Sequence, residues 1–140
     1  LDTNAWLDWL VFADPVTSRL SQLFESGDLV LPASPSGRGE FIDVIGRDNF
    51  QLDRTQQLER IARYDRICQL LPHAREAGRD THLRCSDPDD QQFLELAIGA
   101  NAGWLLTRDR ALLKLARRAL RDHQFQITSL AQWSGQAANQ

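Results

Sequence analysis

Nineteen acidic residues lie among 140, so a lone carboxylate carries little information, yet four acids fall where α/β proteins build their chemistry. Asp2 is followed by Thr3, Asn4 and an apolar stretch. Asp109 closes the run Leu105-Leu106-Thr107-Arg108-Asp109. Asp90 belongs to Asp87-Pro88-Asp89-Asp90, ahead of the apolar Phe93, Leu94 and Leu96, and Glu40 precedes Phe41, Val44 and Ile45. Each follows a segment that reads as strand or extended chain, and ligands of open α/β sheets bind beyond the carboxyl ends of the strands. Glu40 reads as a first-turn residue of the helix after the second strand, and Asp43, three residues on, is its rival on the same face. Carboxylates drawn to one edge repel, and a hard divalent cation that takes oxygen ligands relieves the repulsion. Mg²⁺ binds through one or two carboxylates plus phosphate oxygens, which suits hydrolysis of a phosphodiester. Structural roles compete at every position. Asp87 before Pro88 makes an N-cap with Asp90 at N3, Asp109 can cap the helix it precedes, Asn4 can cap the first helix, and Glu40 can simply face solvent.

Positioning these acids requires short strands alternating with helices, which is the pattern of a largely parallel sheet covered by helices. Strands are expected up to Asp2, over Asp28–Pro32, over Gly103–Thr107 and over Phe125–Thr128, with His82–Cys85 a weaker strand or an extended lead-in. Helices are expected over Pro15–Ser26, Glu40–Gly46, Leu52–Leu71, Pro88–Ala100 and Ala111–Leu120 from apolar residues at helical spacing, with Gly27 and Pro72 as stop signals. The segment 1–134 reads as one domain and 135–140, rich in Gln, Ala and Asn, as a disordered tail. Methionine is absent and little apolar chain precedes Asp2, so the first strand is expected to be mostly cut off.

Composition narrows the partners. The net charge is −3, yet between Arg108 and Asp122 six basic residues face only Asp109 and Asp122, a local charge of +4. Such a stripe is a candidate phosphate-facing patch or a solvated helix face. Cys68 and Cys85 lack the spacing of a disulfide framework or a zinc site, and reduced thiols are expected. The longest apolar runs fall far short of the roughly 20 residues that span a bilayer, so a cytoplasmic protein without a membrane partner is expected. Trp6 and Trp9, three apart on the first helix, read as core or as an apolar patch for a homodimer. No Ser-His or Cys-His arrangement offers a nucleophile. An aspartyl-phosphate phosphohydrolase would place an acid two residues after Asp2, where Asn4 stands.

Taken in order, Leu-Asp-Thr-Asn-Ala-Trp-Leu at the start, DPDDQQFLELA at 87–97 and LLTRDRALL at 105–113 resemble a PIN domain, and more narrowly the toxin components of bacterial toxin–antitoxin systems. The likeness spans nearly the whole chain. It implies a three-layer α/β/α sandwich with a parallel central sheet. It further implies a nuclease site at Asp2, Glu40, Asp90 and Asp109, with Asn4 and Thr107 as hydrogen-bonding supports and Asp87 as a turn-forming or outer acid. One or two Mg²⁺ or Mn²⁺ ions on Asp2, Asp90 and Asp109, with Glu40 assisting, would activate water for in-line attack on RNA and leave a 5′-phosphate. Arg108, Arg110 and Lys114 would receive the RNA backbone beside Asp109. An antitoxin protein is the implied partner; the alternative is a non-catalytic PIN-fold module that binds an antitoxin or itself.

Overall fold

The computed structural model describes residues 1–138. Helix α1 (Thr3–Leu10) is followed by a short 3₁₀ turn at Pro15–Thr17 and by α2 (Ser18–Glu25). Strand β1 (Pro32–Ala33) leads into α3 (Pro35–Ile45), then α4 (Arg54–Ile67) and β2 (Gln69–Leu70). After α5 (Ala74–Ala77) a 3₁₀ turn at Pro88–Asp90 opens α6 (Gln91–Gly99), which is followed by β3 (Trp104–Leu106). The chain closes with α7 (Arg110–Leu113), α8 (Ala116–His123), β4 (Gln126–Thr128) and α9 (Leu130–Ala138).

The strands are short and pair in parallel, β1 with β2 and β3 with β4. In the second pair Trp104, Leu105 and Leu106 face Gln126, Ile127 and Thr128. On the other edge of β3 the amide of Asp2 donates to the Leu106 carbonyl at 3.3 Å, which sets the start of α1 beside the end of β3. Side chains of a strand alternate between faces. Leu105 therefore joins one apolar cluster, with Leu83, Phe93, Leu94, Leu112 and Phe125, while Leu106 joins the other, with Trp6, Leu10, Phe41, Ile45 and Tyr64. The architecture is α/β with helices around short parallel strands.

Several boundaries differ from the sequence expectation for identifiable reasons. The second strand pairs only at Pro32–Ala33, because its partner, squeezed between the C-cap of α4 at Cys68 and Pro72, is strand only at Gln69–Leu70. The helix expected to run to Leu71 stops at Ile67, and Gln69–Leu70 turn extended to pair with β1. Helix α3 starts at Pro35, not Glu40: Ser34 caps it, accepting the Gly37 amide at 3.0 Å, with proline at the first position. Glu40 consequently stands on the second turn. His82–Cys85 forms no ladder. The Gln91 side chain serves its backbone instead, accepting from the Cys85 amide at 2.7 Å and donating to the Leu83 carbonyl at 3.0 Å. The helix expected over Ala111–Leu120 divides at Lys114–Leu115 into α7 and α8.

Trp6 and Trp9 are 3% and 4% exposed and stack on each other in the core, so they form no surface patch for self-association. Cys68 and Cys85 carry free thiols. Helix α9 continues through Ala138 across most of the segment expected to be a tail; residues 139–140 lie outside the described residues. Among the described residues no helix is long and apolar enough to cross a membrane.

Candidate metal centre

Three of the four singled-out acids stand at helix starts, where an aspartate often only caps, and hydrogen bonds separate capping from what is left over. Asp2 caps α1, its Oδ1 accepting the Ala5 amide at 2.9 Å, and Asn4 is exposed on the first turn instead of capping it. Asp109 caps α7 through the Ala111 amide at 2.8 Å, and Asp87 caps the 3₁₀ turn through the Asp89 amide at 3.0 Å. Asp90 occupies the N-cap position of α6 and makes no side-chain capping bond. Its Oδ2 is buried and has no hydrogen-bond partner. A buried acceptor without a donor is costly unless something positive serves it.

That carboxylate does not stand alone. One oxygen from each of Asp87, Asp90 and Asp109 lies within 4.8 Å of the others. Asp2 is tied to this group through Thr107, whose hydroxyl donates to Asp2 Oδ2 and accepts the Asp109 amide at 2.9 Å. Thr107 is 2% exposed, so one buried hydroxyl fixes the first acid relative to the last. Glu40 enters the same cleft, of about 410 Å³, along with Asp2, Asn4, Asp89 and Asp90. Its Oε2 accepts from Gln92 Nε2 at 2.9 Å. Asp43, its rival, is exposed and pairs with Arg47 at 3.2 Å.

The electrostatics follow from the crowding. Burial, then Asp109, then the charges of Asp87 and Asp2 push the Asp90 carboxyl up to about 7. Burial also raises Asp2 against the hydrogen bonds from Thr107 and Ala5, and Asp109 adds to the rise. Glu40 is raised by burial and by the neighbouring Asp89 and Asp2. At neutral pH a proton thus competes with any cation for Asp90. An orphaned carboxylate oxygen among three clustered carboxylates is a hard-oxygen donor set that fits a divalent cation. Asp87, Asp90 and Asp109 could supply first ligands, with Asp2 next to them.

Arg108, Arg110 and Lys114 are all exposed on the loop and helix that follow β3. Arg108 also approaches Asp8 at 3.6 Å. Two contributors escaped the sequence reading. Gln92 orients Glu40, and neither residue type nor spacing marks it. Asp8 is 8% exposed within the apolar part of α1, and a lone acid between Leu7 and Trp9 was the available signal.

Comparison with known families agrees with this geometry: a profile described as PIN domain matches residues 1–111, which include Asp2, Glu40, Asp87, Asp90 and Asp109. The match covers well over half of the chain, and the protein belongs to the PIN domain family. No curated protein and no solved structure matches significantly.

Proposed function

We propose that this PIN domain is a metal-dependent endoribonuclease, a hydrolase that cuts phosphodiester bonds in RNA. The observation that carries the reading is the Asp87–Asp90–Asp109 group with its unpartnered buried oxygen. Asp2, Glu40, Asp90 and Asp109 are the catalytic acids; Asp90 and Asp109 hold Mg²⁺ or Mn²⁺ together with Asp87, which is close enough to share the ion, and Asp2 stands beside them. When bound, such a cation supplies Lewis acidity and a water acidified toward neutral pH. The protein's own residues do the rest. Thr107 holds Asp2, Gln92 holds Glu40, and Asp87 shapes the turn that presents Asp90. Asn4, exposed at the rim, offers a hydrogen-bonding amide to substrate. Arg108, Arg110 and Lys114 receive backbone phosphates next to Asp109.

The finer assignments rest on the motif likeness. On the same likeness we read the helices and short strands as a three-layer α/β/α sandwich, and the order DTN, DPDD, LLTRD supports a cytoplasmic toxin held in check by an antitoxin. The deciding experiment incubates the protein with single-stranded RNA in Mn²⁺, in Mg²⁺ and in chelator, with Asp90→Asn as control. Cleavage is expected only with metal and only with Asp90 intact. Cleavage that survives chelator or Asp90→Asn, or no cleavage with either metal, would retire the proposal.

A further inference from the structure

A second cavity, of about 270 Å³, opens where the chain leaves β3 at Thr107–Arg108 and leaves β4 at Ser129. Anything seated here would lie against Thr107, whose hydroxyl binds Asp2 and the Asp109 amide. The walls are of two kinds: Val16, Leu130 and Ala131 are apolar, whereas Asp8, Asp14, Arg108 and Ser129 are polar, with Asp14 already accepting the Val16 amide at 2.9 Å.

Asp8 is the unusual member. It is 8% exposed, and its charged neighbour, Arg108 Nη2, stands 3.6 Å away, too far for a hydrogen bond. An ionised carboxylate is acceptor-only, with room for two parallel donors. Asp8 thus faces the cavity with the Arg108 charge at a distance, the like charge of Asp14 nearby, and no hydrogen bond to its carboxylate from the described residues. The side chain of Arg108 is 61% exposed and free to pivot toward a phosphate.

A flat ring with two adjacent N–H donors satisfies this combination. Among the nucleobases the Watson–Crick edge of guanine alone offers neighbouring ring N–H and amino donors; adenine and cytosine pair one amino group with a ring acceptor, and uracil flanks its N–H with carbonyls. Unpaired bases of single-stranded RNA are read on that edge. We infer that this cavity is a base subsite selective for guanine, with Asp8 accepting from the base and Arg108 binding the attached phosphate. The inference builds on the endoribonuclease reading and adds a preference for cutting next to guanosine.

The test separates the two. With metal chelated, 5′-GMP, 5′-AMP, 5′-CMP and 5′-UMP are titrated into ¹⁵N-labelled protein. GMP should shift the Ser129 and Ala131 amides at concentrations at least tenfold below the other three. Asp8→Asn, nearly isosteric, should erase that selectivity, and Ala131→Trp, built on an exposed position, should fill the cavity and remove binding. Equal binding of the four nucleotides, or GMP selectivity unchanged in Asp8→Asn, overturns the subsite. With Mn²⁺ and RNA, wild type should cut beside guanosine and Asp8→Asn should cut without preference. GMP selectivity in a protein that never cuts RNA would sink the nuclease reading and leave the subsite standing.

Discussion

No hydrogen bond reaches Asp90 Oδ2, and burial together with the crowded acids around it holds this carboxyl well above the usual carboxylate range. A carboxyl whose pKa is higher folded than unfolded binds its proton more tightly in the native state, so stability falls as pH rises between the two values. For Asp90 that window runs from the ordinary carboxylate range up to about 7, and Asp2 and Glu40 shift in the same direction. In chelator, Asp90→Asn should therefore raise Tm at pH 8, and the gain should shrink toward pH 4.5. The same variant should lose the Tm increase that Mn²⁺ gives wild type. A calorimetric scan at two pH values checks both; a variant less stable than wild type at pH 8 without metal would contradict the assignment. Thr107 is the opposite case, with its hydroxyl fully engaged. Thr107→Val leaves Asp2 Oδ2 and the Asp109 amide without a buried partner, at a cost of about 1–3 kcal/mol. Thr107→Ser should recover most of that in a urea titration.

At the scale of elements, what could be read depended on how local the cause was. Helix α6 and the acids before it were legible because Asp87-Pro88 is a local start signal followed by an apolar run. The ends of β3 and β4 were legible because apolar runs there stop at Thr107 and Thr128. Strand β2 was not, because Gln69 and Leu70 are extended only by virtue of pairing with Pro32 and Ala33, far away in the chain. The start of α3 was missed because glycines at 37 and 39 look like loop. In the fold Gly37 is buried, with Phe93 and Gln92 close against it. Glu40 and Asp43 could not be separated by spacing alone, and it took the Gln92 contact to distinguish them.

The tightest contact between elements was equally hidden. A Cβ on Gly99 would fall 1.6 Å from the Ala74 carbonyl oxygen, and one on Gly78 would fall 1.9 Å from that of Glu95. Backbone meets backbone where α5 crosses α6, with no side chain able to yield. Gly99→Ala should destabilise by about 1–3 kcal/mol or more, since an added methyl must push two helices apart. Because Asp90 sits at the N-cap position of α6, metal affinity should fall as well, measured by Mn²⁺ titration in the folded variant. An unchanged Tm would disprove the close approach.

Across the whole molecule the charge is arranged unevenly. An overall charge of −3 opposes binding to a polyanion, while Arg110, Lys114, Arg117 and Arg118 are exposed along one stretch that begins at the acidic cleft. Arg121 also belongs to that stretch but is paired with Asp122 at 2.7 Å, leaving less positive charge for a ligand. Replacing Arg110 and Lys114 with alanine should weaken RNA binding several-fold at low salt and flatten its salt dependence, with a slope smaller by about two phosphate contacts. Fluorescence anisotropy at several salt concentrations measures this. Unaltered slopes would move the RNA path elsewhere on the surface.

One guanidinium ties the two walls of the acidic cleft together. Arg75 on α5 donates to Glu95 of α6 at 2.9 Å and to Ser36 of α3 at 3.3 Å. Those two helices carry Asp90 and Glu40 respectively. A side chain that touches no acid of the cluster thereby helps to set the spacing of the helices that bear them, and shortening that tether would shift Glu40 relative to Asp90 without replacing either.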